Sequence, residues 1–143
     1  MPKTDIIVIG AGIAGASAAA ELAAVSRVVL LEMEAQPGYH ATGRSAAYFA
    51  AAYGKKVVRE LTGCCEEFFR QPPADFSEVE LLRPRDCMFF GRADQAEQLQ
   101  ALQQDNPGLV RLTASDVLKR VPVFAESYLH GGLWESRGGD LDV

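Results

Sequence analysis

The apolar positions of this chain follow two rhythms. Ile6 to Ile9 and Val28 to Leu31 are short unbroken apolar runs, the pattern of strands buried on both faces. Between them a small-residue stretch from Ile13 to about Ala24 predicts a helix. From Lys55 to Phe69 the period lengthens: Val58, Leu61, Cys65, Phe68 and Phe69 fall on one helical face, and Pro72-Pro73 stops it. A strand is predicted at Asp86 to Phe90. A helix follows from Gln95 to Gln104 with Leu99 and Leu102 inward, closed by Asn106-Pro107-Gly108. Val110 to Leu112 reads as extended. Ser115 or Thr113 caps a helix through Arg120, stopped by Pro122. Tyr128 to Trp134 reads as a strand interrupted by Gly131-Gly132. Gly138 to Val143 reads as a turn leading to a helix N-cap at Asp142, and the small sheet points to the front part of a longer protein.

The first strand, helix and second strand carry a chemical signature. Gly10, Gly12 and Gly15 stand in G-x-G-x-x-G spacing where the strand becomes the helix, and Glu32 stands at the end of the second strand. Gly10 permits the tight turn, Gly12 lets the backbone approach a pyrophosphate, and Gly15 lets the helix pack on the sheet. The helix start at Ile13 and Ala14 offers unbonded N–H groups and a partial positive charge to phosphates. Glu32 can accept from both hydroxyls of an adenosine ribose and repels a 2′-phosphate, which argues against NADP. The fold class is therefore α/β: a Rossmann-like FAD- or NAD(P)-binding βαβ unit followed by the start of an α+β domain, truncated. The glycines do not separate FAD from NAD. The turn Ala24-Val25-Ser26-Arg27 lacks the glycine expected at a helix C-cap.

Composition narrows the classes. The 143 residues are 48% hydrophobic and 23% charged with a net charge of −5, a soluble globular balance. Lys and Arg never cluster beyond two in a row, which argues against nucleic acid. No apolar run reaches membrane-span length and the N-terminus has no signal-peptide pattern, so a cytoplasmic location is expected. Cys64, Cys65 and Cys87 form no C-x-x-C, and His40 and His130 are isolated, so no metal site is expected.

After the loop from Met33 to Thr42 comes H-A-T-G-R-S-A-A-Y-F, His40 to Phe49. Thr42, Gly43 and Ser45 can present hydroxyls and open backbone to a ligand, and Arg44 a fixed positive charge. Ser45 is placed to N-cap a short helix through Ala46, Ala47 and Phe49.

These segments together, G-A-G-I-A-G-A-S, V-V-L-L-E and P-G-Y-H-A-T-G-R-S-A-A-Y-F-A-A-A-Y-G, resemble the FAD-dependent D-amino-acid oxidase/dehydrogenase superfamily, nearest to bacterial D-arginine dehydrogenase-type enzymes. Looser likeness continues through L-L-x-P-R to the Gly-Gly-Asp-Leu-Asp ending. The resemblance implies FAD as cofactor, its ADP half on Gly10 through Gly15, and its ribose on Glu32 with Met33 beside it. It lays Ala41, Thr42, Gly43, Arg44, Ser45, Ala46 and Ala47 along the pyrophosphate and flavin, and puts Tyr48 and Tyr53 near the substrate. It implies residues 1–82 as the N-terminal part of an FAD-binding domain. Residues 83–143 would be the first segment of a substrate domain, the chain ending before its return.

The implied activity is oxidation of the CH–NH2 group of a small-molecule D-amino acid to an imino acid, by hydride transfer to flavin, with an electron acceptor the sequence leaves open. Two positions depart from the pattern. Tyr48 stands where the dehydrogenases carry histidine, and Cys87 where the arginine-preferring kind carries an acid. Uncharged D-amino acids are the expected substrates on that ground. The alternatives are a nucleotide-binding fragment without turnover and an NAD-dependent dehydrogenase.

Overall fold

The computed structural model describes residues 3–142 and divides them into two compact units, residues 3–46 and 47–142. Val143, the last residue of the expected C-terminal turn and helix start, lies outside the described residues.

The first unit is strand, helix, strand. Strand β1 spans Ile6–Ile9, helix α1 Ile13–Ala23 and strand β2 Val28–Leu31. The strands run parallel in a two-stranded sheet with Ile6 opposite Val28 and Ile9 opposite Leu31. The apolar runs form the strands as expected, but they are not buried on both faces. Ile7 is 61% and Ile9 85% exposed, and Val29, Leu30 and Leu31 are also open. A two-stranded sheet with one helix has a single face to cover, so the apolar code exceeds the packing available among the described residues. The absent C-cap glycine costs nothing. Ala24 keeps right-handed dihedrals, φ −65° and ψ −25°, and Val25 and Ser26 donate to Leu22 O, so no left-handed residue is required.

The second unit is built on two antiparallel sheets. Strand β3, Tyr48–Phe49, and strand β4, Leu82–Pro84, flank β8, Gly139–Leu141; strand β5, Cys87–Gly91, and β6, Val110–Thr113, flank β7, Gly131–Glu135. Helices α2 (Lys56–Arg70), α3 (Ala96–Asp105) and α4 (Ala114–Arg120) fill the connections. Thr113 is the N-cap of α4: its hydroxyl accepts from Asp116 N–H while the Asp116 carboxylate accepts from Thr113 N–H, each 3.2 Å. Of the two caps the sequence offers, Thr113 is the one used.

Central strand β7 sorts the core by alternation. Leu133 faces the cluster of Ala52, Leu99 and Leu109, with Leu102 of α3 packed against it. Trp134 faces the cluster of Leu112, Val117 and Leu129. Leu133 and Val117 are fully buried. Gly132 does not interrupt the strand. A side chain there would meet Phe89 O at 2.8 Å and Val117 at 3.0 Å, so glycine is what lets β7 lie between its neighbours.

Three local expectations change. The short helix after Ser45 does not form; Ala47 takes φ 48° and Tyr48–Phe49 pair as a strand with Asp140 and Gly139. Positive φ at a non-glycine residue ends a helical path. Gly139–Leu141 is a strand rather than a turn before a helix, and Asp142 donates its N–H to Leu81 O at 2.9 Å. In α2 the expected apolar face is open: Val58 is 49% and Leu61 64% exposed, while Arg59 and Glu66 are drawn into ion pairs.

Candidate functional site

The strand-to-helix turn of the first unit forms one wall of a crevice of about 720 Å³. Its lining brings together Gly10, Gly12, Ile13, Ala14, Glu32, Met33, Ala41 and Thr42, eight residues that the sequence singled out. Gly10 has φ +97°, which turns the chain sharply out of β1, and its N–H donates to Leu31 O at 2.7 Å. Gly15 packs so close that a Cβ there would lie 1.9 Å from Gly10 O. A Cβ on Gly12 would stand 3.0 Å from Thr42 Oγ1.

Gly12 is the N-cap of α1 and has no side chain with which to cap it. The first-turn N–H groups have no intrahelical carbonyl to bond. One of them is taken: Ile13 N–H donates to Thr42 Oγ1 at 2.9 Å. Ala14, the next residue of the turn, also lines the crevice, and the first turn carries no acidic residue.

Glu32 is the structural knot of the crevice. One carboxylate oxygen accepts from Ala11 N–H at 2.7 Å; the other accepts from Met33 N–H at 2.7 Å and Glu34 N–H at 2.9 Å. These bonds, Glu34 N–H first and Ala11 N–H next, hold its carboxyl below the usual carboxylate range. It is therefore charged at neutral pH, and the oxygen bonded to Ala11 keeps a free lone pair for a hydroxyl donor. The loop beyond is tied down by Gly38 N–H to Ala11 O at 3.0 Å, Gly43 N–H to Gly38 O at 2.7 Å, and the His40–Glu34 pair at 2.8 Å. Sequence reasoning missed that pair. Arg44 lies 4.9 Å from the Tyr39 ring centroid, and Ser45 and Ala46 continue the chain without joining the crevice lining. Ala47 belongs to the second unit.

The residues fit the ADP half of a dinucleotide. A Cβ-free approach at Gly12, a helix start without an acid, and an anchored carboxylate at the end of β2 are what a pyrophosphate and a ribose require.

Tyr48 and Tyr53 are in different settings. The Tyr48 hydroxyl donates to Arg85 O at 2.8 Å, and the Arg85 guanidinium lies 4.6 Å from its ring centroid. Burial first, then the nearby Cys87 and Glu135, push the Tyr48 hydroxyl up to about 12, so it stays a neutral donor. Tyr53 is 69% exposed. Among the described residues no ring contact or hydrogen bond joins the two. Burial also raises the Cys87 thiol, which argues against a thiolate nucleophile. No group of three or more His, Cys, Asp or Glu among the described residues is placed to hold a metal ion, and no helix there is long and apolar enough to cross a membrane.

Comparison with known proteins takes in nearly the whole chain. Residues 5–143 match the family model described as DAO, FAD dependent oxidoreductase. Among solved structures, dithionite-reduced L-alpha-glycerophosphate oxidase from Mycoplasma pneumoniae with FAD bound superposes at TM-score 0.82 and 16% identity, over 99% of this chain and 40% of that one. Glycine oxidase from Bacillus cereus gives 0.74 at 23% identity over 97% of this chain and 40% of its own. L-proline dehydrogenase from P. horikoshii gives 0.77 at 19% identity, over 99% and 39%. The chain thus spans about 40% of the length of these structures.

Proposed function

The chain belongs to the FAD-dependent oxidoreductase family, its cofactor is FAD, and on that premise we propose that it carries the ADP-binding part of an enzyme that oxidises the CH–NH2 group of an amino acid to an imino acid. The observation that carries the binding half is the Gly12–Thr42–Glu32 crevice. FAD, when bound, supplies the two-electron acceptor. The chain's own residues hold it. The α1 start faces the pyrophosphate, Glu32 takes the ribose hydroxyls, and Ala41 to Ala47 follow the cofactor toward the flavin. Residues 1–82 act as the N-terminal part of the FAD domain and residues 83–143 as the opening of the substrate domain. Tyr48, a neutral donor, and the exposed Tyr53 are the substrate-side candidates.

Support for an amino acid as substrate comes from the sequence likeness to D-amino-acid oxidases and dehydrogenases, with D-arginine dehydrogenase-type enzymes nearest. Glycine oxidase and proline dehydrogenase among the structural neighbours agree with that class. Cys87, half-buried and held neutral by its surroundings, gives no charge for a cationic substrate, so uncharged D-amino acids are favoured. A cytoplasmic location goes with this reading. The test is kcat/KM across neutral, acidic and basic D-amino acids, and their L-forms, in the full-length flavin-loaded protein with an artificial electron acceptor. A basic substrate ahead by about tenfold or more, about 1.4 kcal/mol in transition-state terms, overturns the substrate assignment. A colourless protein that binds no added FAD overturns the cofactor assignment.

A further inference from the structure

Gly138 lies in the connection between β7 and β8, and a side chain there has no room. A Cβ would fall on the Tyr48 hydroxyl oxygen, 2.7 Å from Tyr48 Cζ and 3.1 Å from Arg85 O. Its φ is not positive, unlike that of Gly10, Gly38, Gly54 and Gly131, so no left-handed dihedral calls for glycine at this position. What calls for it is space, and Tyr48 fills that space.

The backbone around Gly138 is anchored on every side. Gly138 O accepts from Arg85 N–H at 3.2 Å. Before it, Arg137 O accepts from Arg70 Nη2 at 3.0 Å, and Glu66 pairs with both Arg70 and Arg137, so α2 holds that residue by carbonyl and by side chain. After it, Gly139 is paired with Phe49 on one side and Pro84 on the other. The Tyr48 side chain is held by less. Its hydroxyl donates one hydrogen bond, to Arg85 O at 2.8 Å, and its ring lies 4.6 Å from the Arg85 guanidinium, which Asp140 accepts from at 2.8 Å. A single neutral hydrogen bond gives way more readily than a backbone tied at three consecutive residues. A side chain at position 138 therefore drives the Tyr48 hydroxyl off Arg85 O and leaves the strand connection where it is.

We propose that Gly138 is a positioning residue for the substrate side of the enzyme: lacking a side chain, it seats the Tyr48 hydroxyl on Arg85 O and so fixes the wall that Tyr48 presents to the amino acid. Gly138 acts only through Tyr48, so this role rests on the proposed substrate-side place of that tyrosine. Every residue in the device lies within residues 47–142.

The test uses the full-length, flavin-loaded protein and the variants G138A, Y48L and Y48L/G138A, with the amino acid that the parent turns over best. G138A should keep its flavin and lose about tenfold or more in kcat/KM, the effect of a misplaced contact at the substrate. In the Y48L background, where neither ring nor hydroxyl occupies the space, the same change should alter kcat/KM by less than about twofold. The Tyr48 13Cζ signal, assigned by its loss in Y48F, should shift in G138A as the hydroxyl leaves Arg85 O. A G138A protein with parental kcat/KM, or one whose loss is equal in both backgrounds, overturns the proposal, as does an unmoved 13Cζ signal. Should G138A not fold, a folded Y48L/G138A supports the fit of Gly138 to Tyr48, and failure of both overturns it. Should Y48L not fold, the 13Cζ signal and kcat/KM of G138A decide. A Y48L protein with parental kcat/KM removes instead the substrate-side place of Tyr48, and the 13Cζ shift then reports on the fit alone.

Discussion

Thr42 and Ile13 join the loop and the helix of the crevice through one hydrogen bond: the Ile13 N–H donates to Thr42 Oγ1 at 2.9 Å. The same oxygen stands 3.0 Å from the place a Gly12 Cβ would occupy. The loop and the glycine are therefore fitted to one another, and a side chain at position 12 must displace one to keep the other.

Gly12→Val should abolish FAD binding. Its methyl groups would push against Thr42 and fill the approach to the pyrophosphate. The check is flavin absorbance of the purified variant in its full-length context; stoichiometric flavin would refute the loop assignment.

Gly15→Ala and Gly63→Ala should act in opposite directions. At position 15 a Cβ would lie 1.9 Å from backbone Gly10 O, which cannot yield, and overpacking there should cost about 3 kcal/mol or more. At position 63, inside α2, nothing lies within 4 Å of a new Cβ, and alanine should add about 0.8 kcal/mol through helix propensity. Urea unfolding of both variants measures the pair.

Glu32 should make the crevice acid-sensitive. A carboxyl whose folded pKa is lowered contributes stability above its unfolded value, about 4.3, and that contribution disappears as pH falls through the folded value. Hydrogen exchange at the Ala11, Met33 and Glu34 amides should lose protection in that window, and E32Q should show weaker protection already at neutral pH. Glu32→Ala should weaken FAD binding by roughly 1.5–3 kcal/mol, the range for hydrogen bonds to a charged group; unchanged affinity would remove the ribose role.

Glu135 should show the reverse sign. Burial raises its carboxyl above the usual range. Such a group favours the fold below its unfolded pKa of about 4.3, and that benefit is lost as pH rises through the folded value. E135Q should therefore melt higher than the parent at pH 7, with the gap closing toward pH 4. Thermal melts across that range check it; a gap that widens on acidification would contradict the buried, raised carboxyl.

The βαβ unit was legible because its signals are local: two apolar runs, three glycines and an acid, all within Ile6 to Glu32. The helices of the second unit were legible from periodicity and their proline stops. Strands β3, β4 and β8 carry no local signal, since Tyr48 meets Asp140 and Leu82 meets Leu141 across whole intervening helices and strands, and two- or three-residue strands carry no period. The failed helix after Ser45 turned on one dihedral, φ 48° at Ala47, which no residue type there announces. The burial of Glu135 has no local signal in W-E-S-R. Its burial follows only from the register that sets Cys87 opposite it on the central strand.

The open stripe on α2 has a practical consequence for handling the protein. Val57 is 65%, Leu61 64% and Phe68 40% exposed, on a chain whose sequence pI is about 5.0. Near that pH mutual charge repulsion vanishes, and excluded salts such as sulfate drive apolar surface together. Residues 3–142 alone should then precipitate at low ammonium sulfate around pH 5 and stay dispersed in dilute buffer at pH 8, where the net negative charge keeps copies apart.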